Sequence, residues 1–320
     1  MCCGVLGAVS SVAGARSSRP YAGGVTPTGR PADAGALPVI DLHTHSSASD
    51  GTETPAELVA AAAAAGVEVL AITDHDTVAG WDEAAEAAAL HGVALVRGIE
   101  ISCAWRQSSI HLLGYLTDPD DPPLTAELAR ARSSRSTRLA RMVSLMAADG
   151  IPLTYAEVLA QVAPGATPGR PHIADALIAN GTIRHRDEAF REWLGDDSRY
   201  YVGHYAPEPV QAVELVRAAG GVPVIAHPFT RTRSGGLDDT LVERMCEAGL
   251  AGLEAYHRDH GQAEVARATA LAERFGLLLT GSSDYHGKGK RNRLAENTTR
   301  PEVLDAVVAA SSGVTEVLRP

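Results

Sequence analysis

The chain has 320 residues, 45% hydrophobic and 21% charged. That is an ordinary globular balance, with room for one domain carrying an insertion or for two small domains. Its 28 Lys and Arg against 39 Asp and Glu leave a formal charge of −11, which argues against coating long nucleic acid by bulk positive charge and suits a site that holds cations.

Residues 1–37 are rich in Ala, Gly, Ser and Pro without periodicity and read as a disordered tail. No Lys or Arg precedes Arg16, and Gly4, Gly7 and Gly14 interrupt the apolar stretch, so a signal peptide is not expected. No run of about 18 apolar residues occurs, so no membrane-spanning helix is expected. Cys2, Cys3, Cys103 and Cys246 match neither a zinc-ribbon spacing nor a disulfide framework, and a cytoplasmic location follows as the default.

From Val39 onward, strands alternate with helices. Strands are predicted at Val39–Leu42, Val67–Thr73, Val93–Ser102, Ile110–Leu116, Val222–Ala226, Gly252–Tyr256 and Leu277–Gly281. Helices are predicted at Pro55–Ala65, Val78–Leu90, Pro209–Ala219, Leu237–Ala248, Gln262–Phe275 and Pro301–Ala310, the first opened by Thr54 as cap and Pro55 in the first turn. This alternation predicts an α/β fold with a parallel sheet, and about seven strands in about 200 residues favour a barrel. Between Leu116 and Pro207 the rhythm breaks into helices at Leu124–Ala148, Tyr155–Val162 and Pro171–Ala179. The expected organisation is a barrel in two parts, 38–120 and 207–320, with a helical insertion at 121–206.

Histidines and acids cluster where the strands end. His43 and His45 with Asp50 follow the first, His75 the second and Glu100 closes the third. His111 lies near the start of the fourth, His227 follows the fifth, and Asp284 and His286 the seventh. Such sheets gather ligand-binding groups at the carboxyl ends of their strands, so these residues should converge. Alternation puts His43 and His45 on one side of an extended segment. Imidazole with carboxylate suits zinc, manganese or iron. Nine donors exceed one ion's need, so two or three divalent ions sharing a bridging carboxylate are expected, with Glu100 as the bridge. Asp41 and Asp74 are candidates either to orient ligand rings or to cap strand ends.

The run Asp41-Leu42-His43-Thr44-His45, Ser49-Asp50-Gly51-Thr52, Thr73-Asp74-His75-Asp76, Gly98-Ile99-Glu100, His111-Leu112-Leu113-Gly114-Tyr115, Ala226-His227-Pro228 and Ser283-Asp284-Tyr285-His286 resembles, in order, the motifs of the PHP (polymerase and histidinol phosphatase) family of metal-dependent phosphoesterases. The resemblance implies a distorted seven-stranded (β/α) barrel and a trinuclear metal centre. His43, His45, Glu100 and Asp284 would hold one ion, Glu100, His111 and His227 a second, and Asp50, His75 and His286 a third. Manganese would come first, with iron or zinc as alternatives.

Gly169-Arg170-Pro171-His172, Gly252-Leu253-Glu254-Ala255-Tyr256-His257 and His260 further resemble the stand-alone branch that includes a 3′,5′-nucleotide bisphosphate phosphatase and 5′→3′ exoribonucleases. That implies an insertion capping the site and a small phosphorylated nucleotide or short oligonucleotide as substrate, with no obligate protein partner. Water activated by the ions would attack phosphorus. Arg170 would clamp phosphate, and His172 and His257 would contact it or donate a proton to the leaving oxygen. Lys288 and Lys290, beside His286 with Arg291 and Arg293, form a local basic cluster that could steer the polyanion. Arg132, Arg135, Arg138 and Arg141 form a drifting basic stripe that could face the cleft or water, with water the favoured reading. Other readings are an RNA exonuclease, a histidinol-phosphate phosphatase using Glu254 for the substrate amine, and a non-catalytic metal-stabilised module.

Overall fold

The computed structural model describes residues 37–106, 108–230 and 237–320; the tail expected before Leu37 lies outside them. Seven strands form one sheet in chain order: β1 (Ile40–Asp41), β2 (Val69–Ile72), β3 (Ala94–Trp105), β4 (Ser108–Tyr115), β5 (Val222–Ile225), β6 (Gly252–Tyr256) and β7 (Leu278–Gly281). A parallel bridge between Thr44 and Tyr285 joins the segments that follow the two edge strands, giving a nearly closed barrel.

The helices are α1 (Pro55–Ala64), α2 (Trp81–His91), α3 (Pro122–Ala148), α4 (Tyr155–Leu159), α5 (Arg170–Ala179), α6 (Arg186–Ala189), α7 (Pro209–Ala218), α8 (Asp239–Glu247), α9 (Gln262–Phe275) and α10 (Pro301–Ala310). Local chemistry starts α1 where the sequence predicts, whereas α2 begins at Trp81 rather than Val78 and α6 is not predicted. Thr54 Oγ1 accepts the Glu57 N–H and the Glu57 carboxylate accepts the Thr54 N–H, with Pro55 in the first turn of α1.

The sheet is not wholly parallel. β4 runs antiparallel to both β3 and β5. Only Arg106 and Gln107 separate β3 from β4 in sequence, and a parallel return needs a crossover of about a dozen residues. The reversal has a consequence for function. It brings the start of β4, with His111, to the end of the barrel where the other strands finish.

Strand residues alternate between two apolar layers. Val69, Ala71, Ala94, Val96, Leu113 and Tyr115 belong to the inner cluster, while Leu70, Ile72, Leu95 and Leu112 pack outward with Leu58 and Val59 of α1. Both faces are therefore buried, as a helix-covered barrel requires. The segment between β4 and α7 builds a separate core from Leu139, Met142 and Met146 of α3 with Ile173 and Leu177 of α5. Truncating fully buried Leu177 to Ala is expected to cost about 3 kcal/mol.

Candidate metal centre

All nine predicted ligand side chains are buried at one end of the barrel. Glu100 lies at their centre. Its Oε2 is 3.1 Å from His45 Nε2, 3.1 Å from His75 Nδ1 and 3.3 Å from His43 Nε2. Its Oε1 is 2.6 Å from His111 Nδ1 and 3.0 Å from His227 Nε2. One carboxylate thus turns one oxygen to each of two imidazole groups. The strand register explains part of this: His111 pairs with Ser102, two residues beyond Glu100 on the same face of β3.

Asp284 Oδ1 stands 3.5 and 3.4 Å from the Nε2 atoms of His43 and His45, which are 3.0 Å apart. Donor atoms about 3.0–3.5 Å apart match the edges of a coordination shell with bonds of roughly 2.1 Å. At the other side, Asp50 Oδ1 is 3.2 Å from His286 Nε2 and Oδ2 is 3.8 Å from His75 Nε2. Asp50 Oδ1 and His286 Nε2 are buried without a hydrogen-bond partner, so a cation between them would satisfy both. Three groups could each hold an ion: His43, His45, Glu100 and Asp284; His45, Asp50, His75 and His286; and His75, Glu100 and His111. The donor set therefore fits divalent metal. His227 faces the same Glu100 oxygen as His111, while His45 and His75 each serve two groups, a sharing that the linear sequence does not reveal.

Backbone geometry aims two of these side chains. His227 has φ of 29° and Asp284 of 52°, each just beyond a strand. The left-handed region costs a non-glycine residue about 1–2 kcal/mol, which the packed surroundings must sustain.

Burial alone would raise the Glu100 carboxyl, yet His111, His75 and His43 beside it hold it well below its ordinary value. Asp50 and Asp284 are likewise held well below theirs against burial, Asp50 by His286 and His75, Asp284 by Lys290 and His286. Burial lowers His75 well below its usual range, and burial with Lys290 pushes His286 down to about 4. Those two rings are neutral and the acids ionised, which is the ligating form of each. His43 and His45 go the other way. Against burial, Glu254, Glu100 and Asp284 raise His43 well above its ordinary value, and Asp284 and Glu100 raise His45 to about 9.

Outer residues fix the ligands. Glu254 Oε1 lies 3.1 Å from His43 Nδ1, and its Oε2 accepts the His227 N–H at 2.6 Å; Ser282 donates its hydroxyl to the same carboxylate. Asp74 accepts the Ser46 N–H, the Ser46 hydroxyl and the Ser49 hydroxyl, and Ser49 Oγ reaches His45 Nδ1 at 3.4 Å. Asp41 accepts the Ser283 and Ala295 N–H groups. Both acids therefore hold ligand-bearing loops rather than ligand rings directly.

A cavity of about 240 Å³ opens over this centre, with Asp50, His75, Glu100 and Asp284 on one side. Arg135, Arg138, Arg170, Phe190 and His204 line it from the segment between β4 and α7. Arg170 lines the cavity as expected, with Nη1 donating to Asp196 Oδ1 at 2.6 Å and to the Leu194 carbonyl. His257 lines it too. Its Nδ1 accepts the Asp259 N–H, so the neutral ring carries its proton on Nε2, 3.5 Å from Asp284 Oδ2.

The structure places other predicted contacts elsewhere. His172 is buried, its Nδ1 accepts the Gly169 N–H at the start of α5, and it is absent from the cavity lining. Lys288 is exposed and lines a neighbouring groove, whereas Lys290 lines the cavity and donates to Asp284 Oδ2 at 2.8 Å. Gly287, with φ of 64°, makes the turn that separates the two lysines from His286. Glu254 is fully buried and engaged, so it offers nothing to a substrate amine. Arg135 and Arg138, read as facing water, are buried at the cavity; only Arg141 of the stripe is fully exposed. His260 is occupied by the Phe229 N–H and the Ala255 carbonyl.

Residues 41–161 match the model of the PHP domain. The chain is 34% identical over 254 residues to a 3′,5′-nucleoside bisphosphate phosphatase of Chromobacterium violaceum, covering 79% of this chain and 89% of that protein. It is 36% identical over 248 residues to a 5′-3′ exoribonuclease of Haemophilus influenzae, covering 77% and 89%. A solved structure from Bifidobacterium adolescentis, described as a metal-dependent phosphoesterase, superposes with a TM-score of 0.83 at 40% identity over 86% of this chain and 98% of that one. With its buried divalent-metal donor set on a nearly closed seven-stranded barrel, the chain belongs to the PHP-domain family and is a metal-dependent phosphoesterase.

Proposed function

We propose that the enzyme removes a phosphate from nucleoside 3′,5′-bisphosphates or from 5′-phosphorylated nucleotides. One observation carries this reading: a cavity of about 240 Å³ has the metal-ligand set on one side and arginines on the other. Its size suits one small phosphorylated molecule, and the arginines match phosphate oxygens. The first relative above acts, by its name, on such substrates.

When bound, the ions supply Lewis acidity toward phosphoryl oxygens and water. We propose two to three of them, manganese first, with iron or zinc compatible with the same donors. The nine residues His43, His45, Asp50, His75, Glu100, His111, His227, Asp284 and His286 hold them. Water adds to phosphorus, the ester P–O bond breaks, one proton of the water ends on the leaving oxygen and the other on phosphate, and His257 Nε2–H donates a hydrogen bond to that leaving oxygen. Arg170 binds a phosphate oxygen at the rim of the cavity. The segment at 121–206 acts as a cap, since it supplies that wall. The free thiols of Cys103 and Cys246 accord with the reducing cytoplasm as the compartment.

A second reading rests on a separate feature. A groove of about 350 Å³ lined by Arg184, Arg186, Lys288, Lys290 and Arg291 shares Lys290 with the cavity. Such a groove would suit a short RNA whose 5′ end enters the cavity, as the exoribonuclease relative suggests.

The test is product release by manganese-loaded enzyme from adenosine 3′,5′-bisphosphate, AMP, histidinol phosphate and a 5′-phosphorylated short RNA. Rapid phosphate release from the bisphosphate with little RNA shortening supports the first reading. Processive release of mononucleotides from the RNA supports the second. Turnover by Glu100→Ala equal to the wild type would remove the metal centre from the mechanism.

A further inference from the structure

We infer that Arg138, with Arg135 and His204, forms an anion subsite within the cavity that holds the substrate phosphate not being cleaved. This deepens the proposed function and rests on it for the identity of the ligand.

The argument begins with spacing on α3. Residues three apart share a helix face, and both arginines turn toward the barrel mouth with Arg135 9% and Arg138 6% exposed. Arg135 is neutralised where it lies: its Nε donates to Asp76 Oδ2 at 2.8 Å and its Nη2 to the Ser102 hydroxyl. Arg170 has Asp196. Arg138 forms no ion pair among the described residues, and its Nε has no hydrogen-bond partner. Its Nη1 faces His204 Nδ1 at 3.4 Å, and the Tyr201 ring lies 5.1 Å away. An aromatic face eases a buried cation but does not neutralise it.

A guanidinium buried without an anion is costly, and structures retain such a group where a partner arrives. Three guanidiniums with two carboxylates leave this wall one positive charge in excess. Burial and the neighbouring Arg170 push Arg138 down to about 9, still charged at neutral pH. Burial with Arg135 and Arg138 pushes His204 down to about 3, so its ring is neutral. With Nδ1 accepting from Arg138, that ring carries its proton on Nε2, which also lacks a partner. The wall thus offers one uncompensated cation across a small cavity from the Glu100 cluster. A ligand with two phosphates complements both sides; a monophosphate complements one.

The experiment has two arms. In the first, metal-free protein is titrated calorimetrically with adenosine 3′,5′-bisphosphate and with AMP. The wild type is expected to prefer the bisphosphate by about tenfold or more, Arg138→Gln to cut that preference to less than about threefold, and Arg138→Lys to restore part of it. In the second, kcat/KM of the manganese enzyme is compared on the same two compounds. Arg138→Gln is expected to lose at least about tenfold more on the bisphosphate than on AMP, mainly through KM. A preference unchanged in a folded Arg138→Gln overturns the subsite. Should that variant not fold, wild-type preference in both Arg138→Lys and His204→Ala overturns it. If the wild type turns over neither compound, the phosphatase reading fails while the metal-free preference still decides the subsite.

Discussion

Arg186 Nη1 donates to the backbone carbonyl of Asp50 at 2.9 Å, while both oxygens of Asp175 hold its other edge at 2.6 Å. The two residues are 136 positions apart. A helix of the segment between β4 and α7 therefore steadies the loop that carries Asp50, one of the proposed metal ligands. Replacing Arg186 by Lys removes the fork that spans Asp175 and Asp50 together. The expected outcome is a loss of about 3 kcal/mol, read from the denaturant midpoint, because Asp175 keeps a poorly matched partner. Metal content should fall as well, measured on protein purified with manganese. Unchanged stability and metal content would mean the loop is held by other contacts.

Glu254 is fully buried, and it joins His43, His227 and Ser282. A carboxylate behind a ligating imidazole orients the ring and raises its basicity. Glu254→Gln is expected to weaken manganese binding by about 10- to 100-fold, measured by competition with a chelating dye. Equal affinity would reduce Glu254 to a packing role.

The raised pKa values of His43 and His45 predict a pH dependence of metal loading. His45 holds its extra proton up to about 9, and since its Nε2 lies 3.0 Å from that of His43, only one of the two facing nitrogens carries a proton. An ion must displace that proton, so affinity should climb with pH until about 9, by roughly tenfold per unit. Calorimetry in buffers of different ionisation enthalpy should register about one proton released at pH 7. Release of none would mean these rings are already neutral.

Gly51 follows Asp50 in a tight turn. A Cβ there would lie 2.3 Å from the His45 carbonyl oxygen and 2.8 Å from the Ser46 carbonyl carbon. Both obstacles are backbone and cannot rotate away. Gly51→Ala is expected to cost about 2–3 kcal/mol by thermal melting and to displace Asp50 from His286, lowering metal content. A variant with wild-type melting and full metal content would show that the loop can shift without loss.

Much of the site was legible in the linear chain because His43, His45, His75, His227, Asp284 and His286 sit just past strand ends, where local pattern is strong; Glu100 and His111 lie within β3 and β4. His43-Thr44-His45 and Ser283-Asp284-Tyr285-His286 can be placed from periodicity and composition alone. The same holds for α1, whose Thr54–Glu57 cap is a local device. Lys290 and Arg138 were not legible in this way. Lys290 stands two positions after Lys288, both beyond the Gly287 turn, and Arg138 belongs to a stripe in which Arg141 is exposed. Nothing local distinguishes the member that lines the cavity from the one that does not.

The amino-acid sequence by itself determined the alternation of strand and helix, the break after Leu116, and the chemical kind of the centre. The first two depend on residues within a few positions of one another, the third on His, Asp and Glu recurring at one strand end after another. The tertiary structure alone decided that β4 reverses, that Glu254 braces His43 and His227 rather than substrate, and that Arg135 and Arg138 face the cavity. Those outcomes depend on which distant surfaces meet when the barrel curls toward closure, and a contact between positions 76 and 135 leaves no mark on the neighbours of either.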